Sequence, residues 1–275
     1  MADSTKPGLN GKAIFVSRAR EESPELCRVL ESEGAKLITE PLLRFAAPED
    51  TTSIDVALQN LAEFDWWVLT SRHAVEFAAL RGRVLKRSLK ELAGQVRIGA
   101  IGSATSRAAQ AAGLQVSYAA HEQSSAGLAA ELALSLAGKR VLLLRSNLAD
   151  SSLPQALAKS GSQVTDLIAY YTLGPDDATK ARLESLDWGG VDSAIFFSPS
   201  AIQNLALAVG PERWKVLANS LLAVAIGATT AEALRQSCVP RCVQAQQPSL
   251  EEIIAALHAG LAISPSHKIM GAQRS

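Results

Sequence analysis

Residues 11–37 read GKAIFVSRAREESPELCRVLESEGAKL, and residues 138–164 read GKRVLLLRSNLADSSLPQALAKSGSQV. The two stretches align without a gap at an offset of 127 residues, from 11 to 138. Identical pairs are Gly11 and Gly138, Lys12 and Lys139, Arg18 and Arg145, Leu30 and Leu157, and Gly34 and Gly161. A repeat of this length has the size of a domain, so it predicts two similar lobes with a cleft between them that suits a ligand.

The repeat continues beyond these stretches. The same offset lays TSRHAVEFAAL, residues 70–80, over FSPSAIQNLAL, residues 197–207, and pairs Ser71 with Ser198. After a slip of two residues, AIGSAT from Ala100 matches AIGATT from residue 225. The duplication therefore covers most of the chain, and we expect equivalent residues of the two copies at equivalent places in the fold.

Short apolar runs alternate with segments of helical period along the chain. Continuous apolar runs are typical of parallel strands that are buried on both faces. They cover residues 13–17, 66–70, 96–102, 141–145, 193–198 and 222–227. Apolar residues at three- and four-residue spacing, typical of helices, follow at residues 24–33, 74–80, 103–112, 152–160, 201–209 and 229–236. The pattern predicts an α/β protein with a doubly wound parallel sheet in each lobe.

The composition excludes several classes of function. The chain has 275 residues with 27 basic and 27 acidic side chains, and no basic stripe of the kind that binds nucleic acid. Its apolar runs are far shorter than the roughly 20 residues that cross a bilayer, and the N-terminus lacks the apolar core of a signal peptide. Cys27, Cys238 and Cys242 have a spacing that suits neither a disulfide framework nor a zinc site. We therefore expect a cytoplasmic protein that binds neither nucleic acid, membrane nor metal.

Polar residues cluster where the predicted strands end and helices begin. Because parallel strands end at one edge of a sheet, these hydroxyls, guanidiniums and free helix N-terminal amides should gather along a rim that suits anions. The candidates are Ser17, Arg18, Ser71, Arg72, Gly102, Ser103, Thr105, Arg145, Ser198, Ser200, Gly227 and Thr230. Serine and threonine are also ordinary helix caps, so both roles stay open for each of them.

Standard catalytic signatures are absent from the sequence. There is no dinucleotide-binding G-x-G-x-x-G after a strand, no P-loop, no G-x-S-x-G and no H-E-x-x-H, which weakens nucleotide chemistry and metal-dependent hydrolysis. His73 lies beside Ser71, but no acidic partner is evident for it. We expect His73 to be an ordinary residue on a helix surface.

Motifs in a fixed order resemble the uroporphyrinogen-III synthase family. They are the strand that ends in Ser17-Arg18, FDWWVLTSRHAV, AIGSAT, GKRVLLLR, AYYT, FFSPSAI, AIGATTAEAL and QPSLEEIIAAL, and they span about residues 10–262. The resemblance implies two HemD-like, flavodoxin-like lobes joined by a two-stranded connector. One lobe would hold residues 1–40 with 173–265 and the other residues 41–172, with residues 266–275 as a disordered tail.

The same resemblance implies a cyclisation that needs no cofactor. The family's substrate, hydroxymethylbilane, is a linear tetrapyrrole with eight carboxylates. It loses its hydroxyl as water and closes through a spiro intermediate with ring D inverted. Closure without inversion proceeds unassisted, so the main task of the protein is to hold the chain in the productive conformation.

Residue roles also follow from the resemblance. Tyr170 matches the tyrosine of the family's Tyr-x-Thr connector motif and is the candidate catalytic residue, because its phenol would hydrogen-bond or protonate the leaving hydroxyl of ring A. Tyr171 is disfavoured by register, and simple packing in the connector is the alternative role for Tyr170.

Carboxylate binding is assigned by the resemblance to the matched hydroxyl residues. These are Ser71, Thr105, Ser198 and Thr230, with Arg18, Arg72 and Arg145 as weaker candidates. The chain departs from the family pattern at Ser17-Arg18-Ala19, where Thr-Arg-Pro is more common. It departs again after Arg145, where residues 146–150 stand in place of a Gly-rich basic turn.

Two other functions remain compatible with the residues alone. One is a non-catalytic two-lobed module that closes around a small anionic ligand. The other is a nucleotide-binding α/β enzyme, which the missing Gly-rich fingerprint disfavours. We expect a monomer whose partner is the small-molecule substrate, and a transient contact with the preceding enzyme of the pathway stays open.

Overall fold

The computed structural model describes residues 8–119 and 135–263 of the chain. The tail expected at 266–275 lies outside the described residues. The chain divides into two compact units: unit 1 comprises Met1–Arg44 and Gly174–Ser275, and unit 2 comprises Phe45–Leu173. Among the described residues, no helix is long and apolar enough to cross a membrane.

Strands and helices alternate along most of the described chain. The strands are β1 (Ala13–Val16), β2 (Lys36–Thr39), β3 (Arg44–Ala46), β4 (Trp66–Leu69), β5 (Arg97–Ala100), β6 (Val116–Ala119), β7 (Arg140–Ser146), β8 (Gln163–Leu173), β9 (Ser193–Phe196), β10 (Leu222–Ala225) and β11 (Cys242–Gln244). The helices are α1 (Pro24–Ser32), α2 (Thr52–Gln59), α3 (Arg72–Val84), α4 (Leu89–Ala93), α5 (Ser103–Ala111), α6 (Ser152–Lys159), α7 (Asp177–Ser185), α8 (Pro199–Val209), α9 (Pro211–Ser220), α10 (Ala228–Gln236) and α11 (Leu250–Ile263).

Unit 1 is built on a sheet whose described strands have the order β11-β10-β9-β1-β2. All four strand pairs in this part of the chain are parallel. The central strands β1, β9 and β10 are almost wholly buried, which is why their sequences are continuous apolar runs. An apolar cluster with α7, α8, α9 and α10 covers one face of the sheet, and a cluster with α1 and α11 covers the other.

Unit 2 is built on a sheet whose described strands have the order β3-β8-β7-β4-β5-β6. The pairs from β8 to β6 are parallel. Helices α2, α3, α4 and α5 pack on one face of this sheet, and α6 packs on the other. The expected class, two doubly wound α/β units with parallel sheets, is confirmed.

Each sheet combines parts of both copies of the repeat. In unit 1, β1 and β2 come from the first copy, whereas β9, β10 and β11 come from the second. In unit 2, β7 and β8 come from the second copy, whereas β4, β5 and β6 come from the first. Taken in repeat order, and leaving out β3 at the edge of unit 2, both sheets have the 2-1-3-4-5 arrangement of flavodoxin-like folds.

The chain passes between the units at residues 44–45 and 173–174. These crossings fall in β3 and at the end of β8, which are neighbours in the sheet of unit 2. Strand β8 has 11 residues and is the longest of the described strands.

Candidate functional site

The carboxyl ends of β4 and β7 bring hydroxyl groups together in unit 2. Ser71 follows β4 and Ser146 ends β7, and these two strands are neighbours in the sheet. The order of the strands therefore brings these polar side chains together at one edge of the sheet. Open α/β sheets bind their ligands at this edge.

Ser71 both caps a helix and contacts Tyr170. Its backbone is extended, with φ −154° and ψ 155°, and its Oγ accepts a hydrogen bond from the backbone N–H of Ala74 at 3.1 Å. The same Oγ lies 2.9 Å from the Tyr170 phenol oxygen. The start of α3 therefore fixes one partner of the tyrosine hydroxyl.

A bulge in β8 sets the position of Tyr170. The β7–β8 register shifts between Arg145 and Ser146, so that Ser146 pairs with Tyr170. The backbone N–H of Asn147 donates to the Tyr170 carbonyl at 3.1 Å. Bulges commonly redirect a side chain beside a functional site, and this one puts Tyr170 opposite the polar end of β7.

The Tyr170 ring is buried among aromatic side chains and is 5% exposed. It stacks on Phe77 with 5.5 Å between ring centroids, and Phe45 meets it edge-on at 5.9 Å. Burial raises the pKa of the Tyr170 phenol above its ordinary value, against smaller opposing effects of hydrogen bonds with Ser71 and Ser146. The phenol therefore stays neutral at physiological pH and keeps a proton to donate.

Further polar groups extend from the tyrosine hydroxyl. The Ser146 Oγ lies 2.8 Å from the Thr172 Oγ1, and the Asn147 Oδ1 accepts from the Thr172 backbone N–H at 2.7 Å. Ser146, Asn147 and Thr172 were not singled out as site residues from the sequence. Strand alternation could have identified Thr172, because residues two apart in a strand lie on the same face. The threonine of the Tyr-x-Thr motif therefore lies on the same face of the strand as the tyrosine.

His73 has an acidic partner that the sequence did not reveal. Its Nδ1 lies 2.8 Å from the Glu76 Oε2, since residues three apart meet on one face of a helix. Its ring stacks on Phe45 at 3.7 Å and lies 5.8 Å from the Tyr170 ring. The expectation of an ordinary surface residue was wrong, because His73 belongs to the aromatic surroundings of Tyr170.

The corresponding edge of unit 1 carries Ser198 and Ser17. Ser198 caps α8 as Ser71 caps α3, and its Oγ accepts from the Ala201 backbone N–H at 3.2 Å. Ser17 follows β1 and is 4% exposed, and its Oγ has no hydrogen-bond partner within the described part of the chain. A buried hydroxyl without a partner is costly, so it marks a place where a ligand atom would be stabilised.

Thr105 and Thr230 lie in the first turn of α5 and of α10, and both are buried. Gly102 precedes α5 with φ 79°, a backbone conformation that favours glycine. Gly227 precedes α10 in an extended conformation that any residue adopts. The remaining predicted residues of these helix starts differ in exposure: Ser103 is exposed, whereas Arg72 and Ser200 are half-buried.

The equivalent arginines of the two copies differ in their contacts. The Arg18 guanidinium lies 4.0 Å from the centroid of the Phe197 ring. Arg145 is 7% exposed and donates to both carboxylate oxygens of Asp166, at 2.7 and 2.5 Å, and to the Asp150 carbonyl. Because these partners occupy its guanidinium, the geometry favours a structural role for Arg145 over carboxylate binding.

Metal-ligating residues do not gather at either edge. In the described ranges, no group of three or more His, Cys, Asp or Glu side chains is arranged to hold a metal ion. The unit 2 edge itself carries a phenol, several hydroxyls and the backbone amides at helix starts.

Proteins of known sequence resemble this chain along most of its length. A uroporphyrinogen-III synthase of Synechococcus elongatus is 25% identical over 254 residues, which cover 90% of this chain and 95% of that protein. A uroporphyrinogen-III synthase of Chlorobaculum parvum is 25% identical over 229 residues, with 82% of this chain and 89% of that protein covered.

Solved structures share the fold. A mutant uroporphyrinogen III synthase of Thermus thermophilus matches with a TM-score of 0.65 at 21% identity, covering 92% of this chain and 99% of that one. A uroporphyrinogen-III synthetase of Helicobacter pylori matches with a TM-score of 0.63 at 18% identity, covering 90% and 99%. The family described as uroporphyrinogen-III synthase HemD matches residues 24–255, and the chain therefore belongs to that family.

Proposed function

We propose that this protein is a hydro-lyase that closes hydroxymethylbilane into uroporphyrinogen III in tetrapyrrole biosynthesis. In the reaction, the carbon–oxygen bond of the ring A hydroxymethyl group breaks and the hydroxyl leaves as water. The substituted carbon of ring D then attacks to give a spiro intermediate. In the rearrangement, the bond between that carbon and the methylene from ring C breaks. The methylene from ring C then joins the free α-carbon of ring D, which loses one proton, so ring D is inverted.

The observation that carries the proposal is the buried phenol of Tyr170 at the carboxyl edge of unit 2. Its hydroxyl lies 2.9 Å from the Ser71 Oγ, so its direction is held before substrate arrives. A neutral phenol donates a hydrogen bond to the leaving hydroxyl, while the electron pair of the pyrrole nitrogen expels it. Burial raises the pKa of the Tyr170 phenol, so the hydroxyl keeps the proton that it donates in this hydrogen bond.

Substrate carboxylates are assigned in this proposal to the hydroxyls and helix starts of each unit. The starts of α3, α5, α8 and α10 offer backbone N–H groups and the positive ends of helix dipoles. The unpartnered hydroxyl of Ser17 supports an acceptor at the edge of unit 1. Arg145 is left out of this set, because Asp166 and the Asp150 carbonyl already engage its guanidinium.

We also propose that the protein is cytoplasmic and monomeric and that it needs no cofactor. The chemistry itself supports the last point: water is the leaving group, no electrons are transferred, and the task is to keep the wrong carbon of ring D out of reach. Direct transfer of hydroxymethylbilane from the preceding enzyme of the pathway would leave less of it free to close without the enzyme.

Product analysis tests the function directly. Freshly prepared hydroxymethylbilane is incubated with the purified protein, and the type I and type III products are separated after oxidation. We expect type III to dominate with native protein and type I to dominate with heat-denatured protein. Type I alone in both samples would reject the synthase and leave the non-catalytic anion-binding module as the better account.

A further inference from the structure

The two sheets differ at their amino ends, opposite to the edges described above. In unit 1, the Lys12 Nζ donates to the Asp192 Oδ1 at 2.7 Å, and the Ala13 backbone N–H donates to the Asp192 Oδ2 at 2.9 Å. The next residue, Ser193, donates from its Oγ to the Leu222 carbonyl at 2.9 Å. Every polar group of this small cluster thus has a partner.

Unit 2 keeps half of this arrangement. The repeat equivalents of Lys12, Ala13, Asp192 and Ser193 are Lys139, Arg140, Asp65 and Trp66. The Arg140 backbone N–H still donates to the Asp65 Oδ2, at 2.8 Å. Lys139 is exposed, however, and no ion pair joins it to a carboxylate in the described residues.

Where unit 1 has the hydroxyl of Ser193, unit 2 has the indole N–H of Trp66. Its Nε1 is buried and has no hydrogen-bond partner among the described residues. The Arg97 guanidinium lies over the indole ring, 5.6 Å from its centroid. Arg97 aligns with Leu222 in the repeat, so unit 2 has a second cation where unit 1 has an apolar residue.

These residues line a cavity of about 440 Å³, a size that suits a small organic ligand. Phe64 and Trp66 are the aromatic residues of its lining, and Arg97 and Lys139 are two exposed cations in the same lining. Asp65 contributes one carboxylate, with its Oδ2 already bonded to Arg140. The charges favour an anion, and the carboxylate of Asp65 disfavours a ligand with several negative charges.

We propose that this pocket, named here the amino-edge pocket, binds a small aromatic carboxylate. The carboxylate pairs with Lys139 and Arg97, and the ring lies against the aromatic walls, since flat apolar surfaces and few placed charges are what such ligands need. The site is separate from the proposed reaction and does not depend on it.

Fluorine NMR with 4-fluorobenzoate tests the site on the full chain. The matched neutral probe is 4-fluorobenzamide, which has the same shape without the charge. The variants are Lys139→Gln and Arg97→Gln, both at exposed positions where folding is not at stake. The control variant is Lys12→Gln, which removes the equivalent lysine from unit 1.

We expect saturable binding of 4-fluorobenzoate with a Kd on the order of 1 mM and at least about tenfold weaker binding of the amide. Each pocket variant should raise the Kd about fivefold, as expected for the loss of one exposed charge pair, and Lys12→Gln should leave it unchanged. Equal binding of acid and amide, an unchanged Kd in Lys139→Gln, or no saturation by about 10 mM would each overturn the site.

Discussion

Ser71 in unit 2 and Ser198 in unit 1 occupy the same place in two copies of one scaffold. Each follows a buried strand, has an extended backbone and accepts a hydrogen bond from the N–H three residues on, at 3.1 and 3.2 Å. Ser71 also meets the Tyr170 phenol at 2.9 Å. The repeat equivalent of Tyr170 is Leu43, which has no hydroxyl to offer.

The comparison distinguishes residues that are the same in both copies of the repeat from residues that differ. Helix capping is required by the fold, so both copies retain the serine. The phenol is not required by the fold, and it stands in one copy. We infer that the reaction chemistry lies where the copies differ, whereas residues that match in both copies serve folding first and ligand binding second.

Removing the phenol oxygen of Tyr170 should have the largest effect on activity. It also removes the main chemical difference between the edges of the two units. In Tyr170→Phe the ring keeps its stacking on Phe77, but the leaving hydroxyl loses its donor. We expect the rate of type III formation to fall about 10²-fold, the lower end of the range for a positioned proton donor. Stopped assays that separate type I and type III products measure it.

Tyr171→Phe is the matched control for that variant. Tyr171 is the neighbouring residue and is 37% exposed, so the loss of its hydroxyl should leave both the rate and the product ratio unchanged. A Tyr170→Phe variant as active as the native protein would remove Tyr170 from the chemistry and leave it a packing residue.

The sequence predicted the central strands well and the edge strands poorly. Strands β1, β4, β9 and β10 are buried along almost their whole length, so their apolar character is visible as continuous runs. Strands β2, β6 and β11 are short and partly exposed, and their mixed polar sequences resemble loops. Their pairing is decided by the neighbouring strand, which no local pattern records.

The candidate site shows the same distinction between contacts set by neighbouring residues in the sequence and contacts set by tertiary packing. The serines at strand ends were predictable, because a cap depends on four consecutive residues. The contact between Arg145 and Asp166 was not, because it depends on the register of two strands, which local sequence patterns do not record. The position of His73 beside Tyr170 likewise depends on the packing of α3 against β8.

The equivalent arginines provide a second test, on stability. Arg145→Gln leaves the Asp166 carboxylate, 33% exposed in its side chain, without its partner, and we expect a loss of about 2 kcal/mol in the free energy of unfolding. Arg18→Gln removes a contact with the Phe197 ring and should cost about 0.5–1 kcal/mol. Urea unfolding followed by circular dichroism measures both losses.

A double-mutant cycle with Asp166→Asn isolates the ion pair of Arg145. The combined variant should lose less stability than the sum of the two single changes, because the second substitution removes the carboxylate that the first leaves unpaired. Equal losses for Arg145→Gln and Arg18→Gln would show that the two arginines have kept a common role, contrary to their contacts.

The two capping serines give the smallest expected difference and the most direct comparison of the copies. Ser198→Ala removes one cap, at a cost of about 1 kcal/mol in the free energy of unfolding. Ser71→Ala removes a cap and also a partner of the buried Tyr170 hydroxyl, so we expect it to cost about 1 kcal/mol more. In a Tyr170→Phe background that excess should vanish, since no phenol remains to lose this partner. An excess that persists there would place its origin in α3 itself, and equal losses in the native background would mean that Ser71 serves the fold no differently from Ser198.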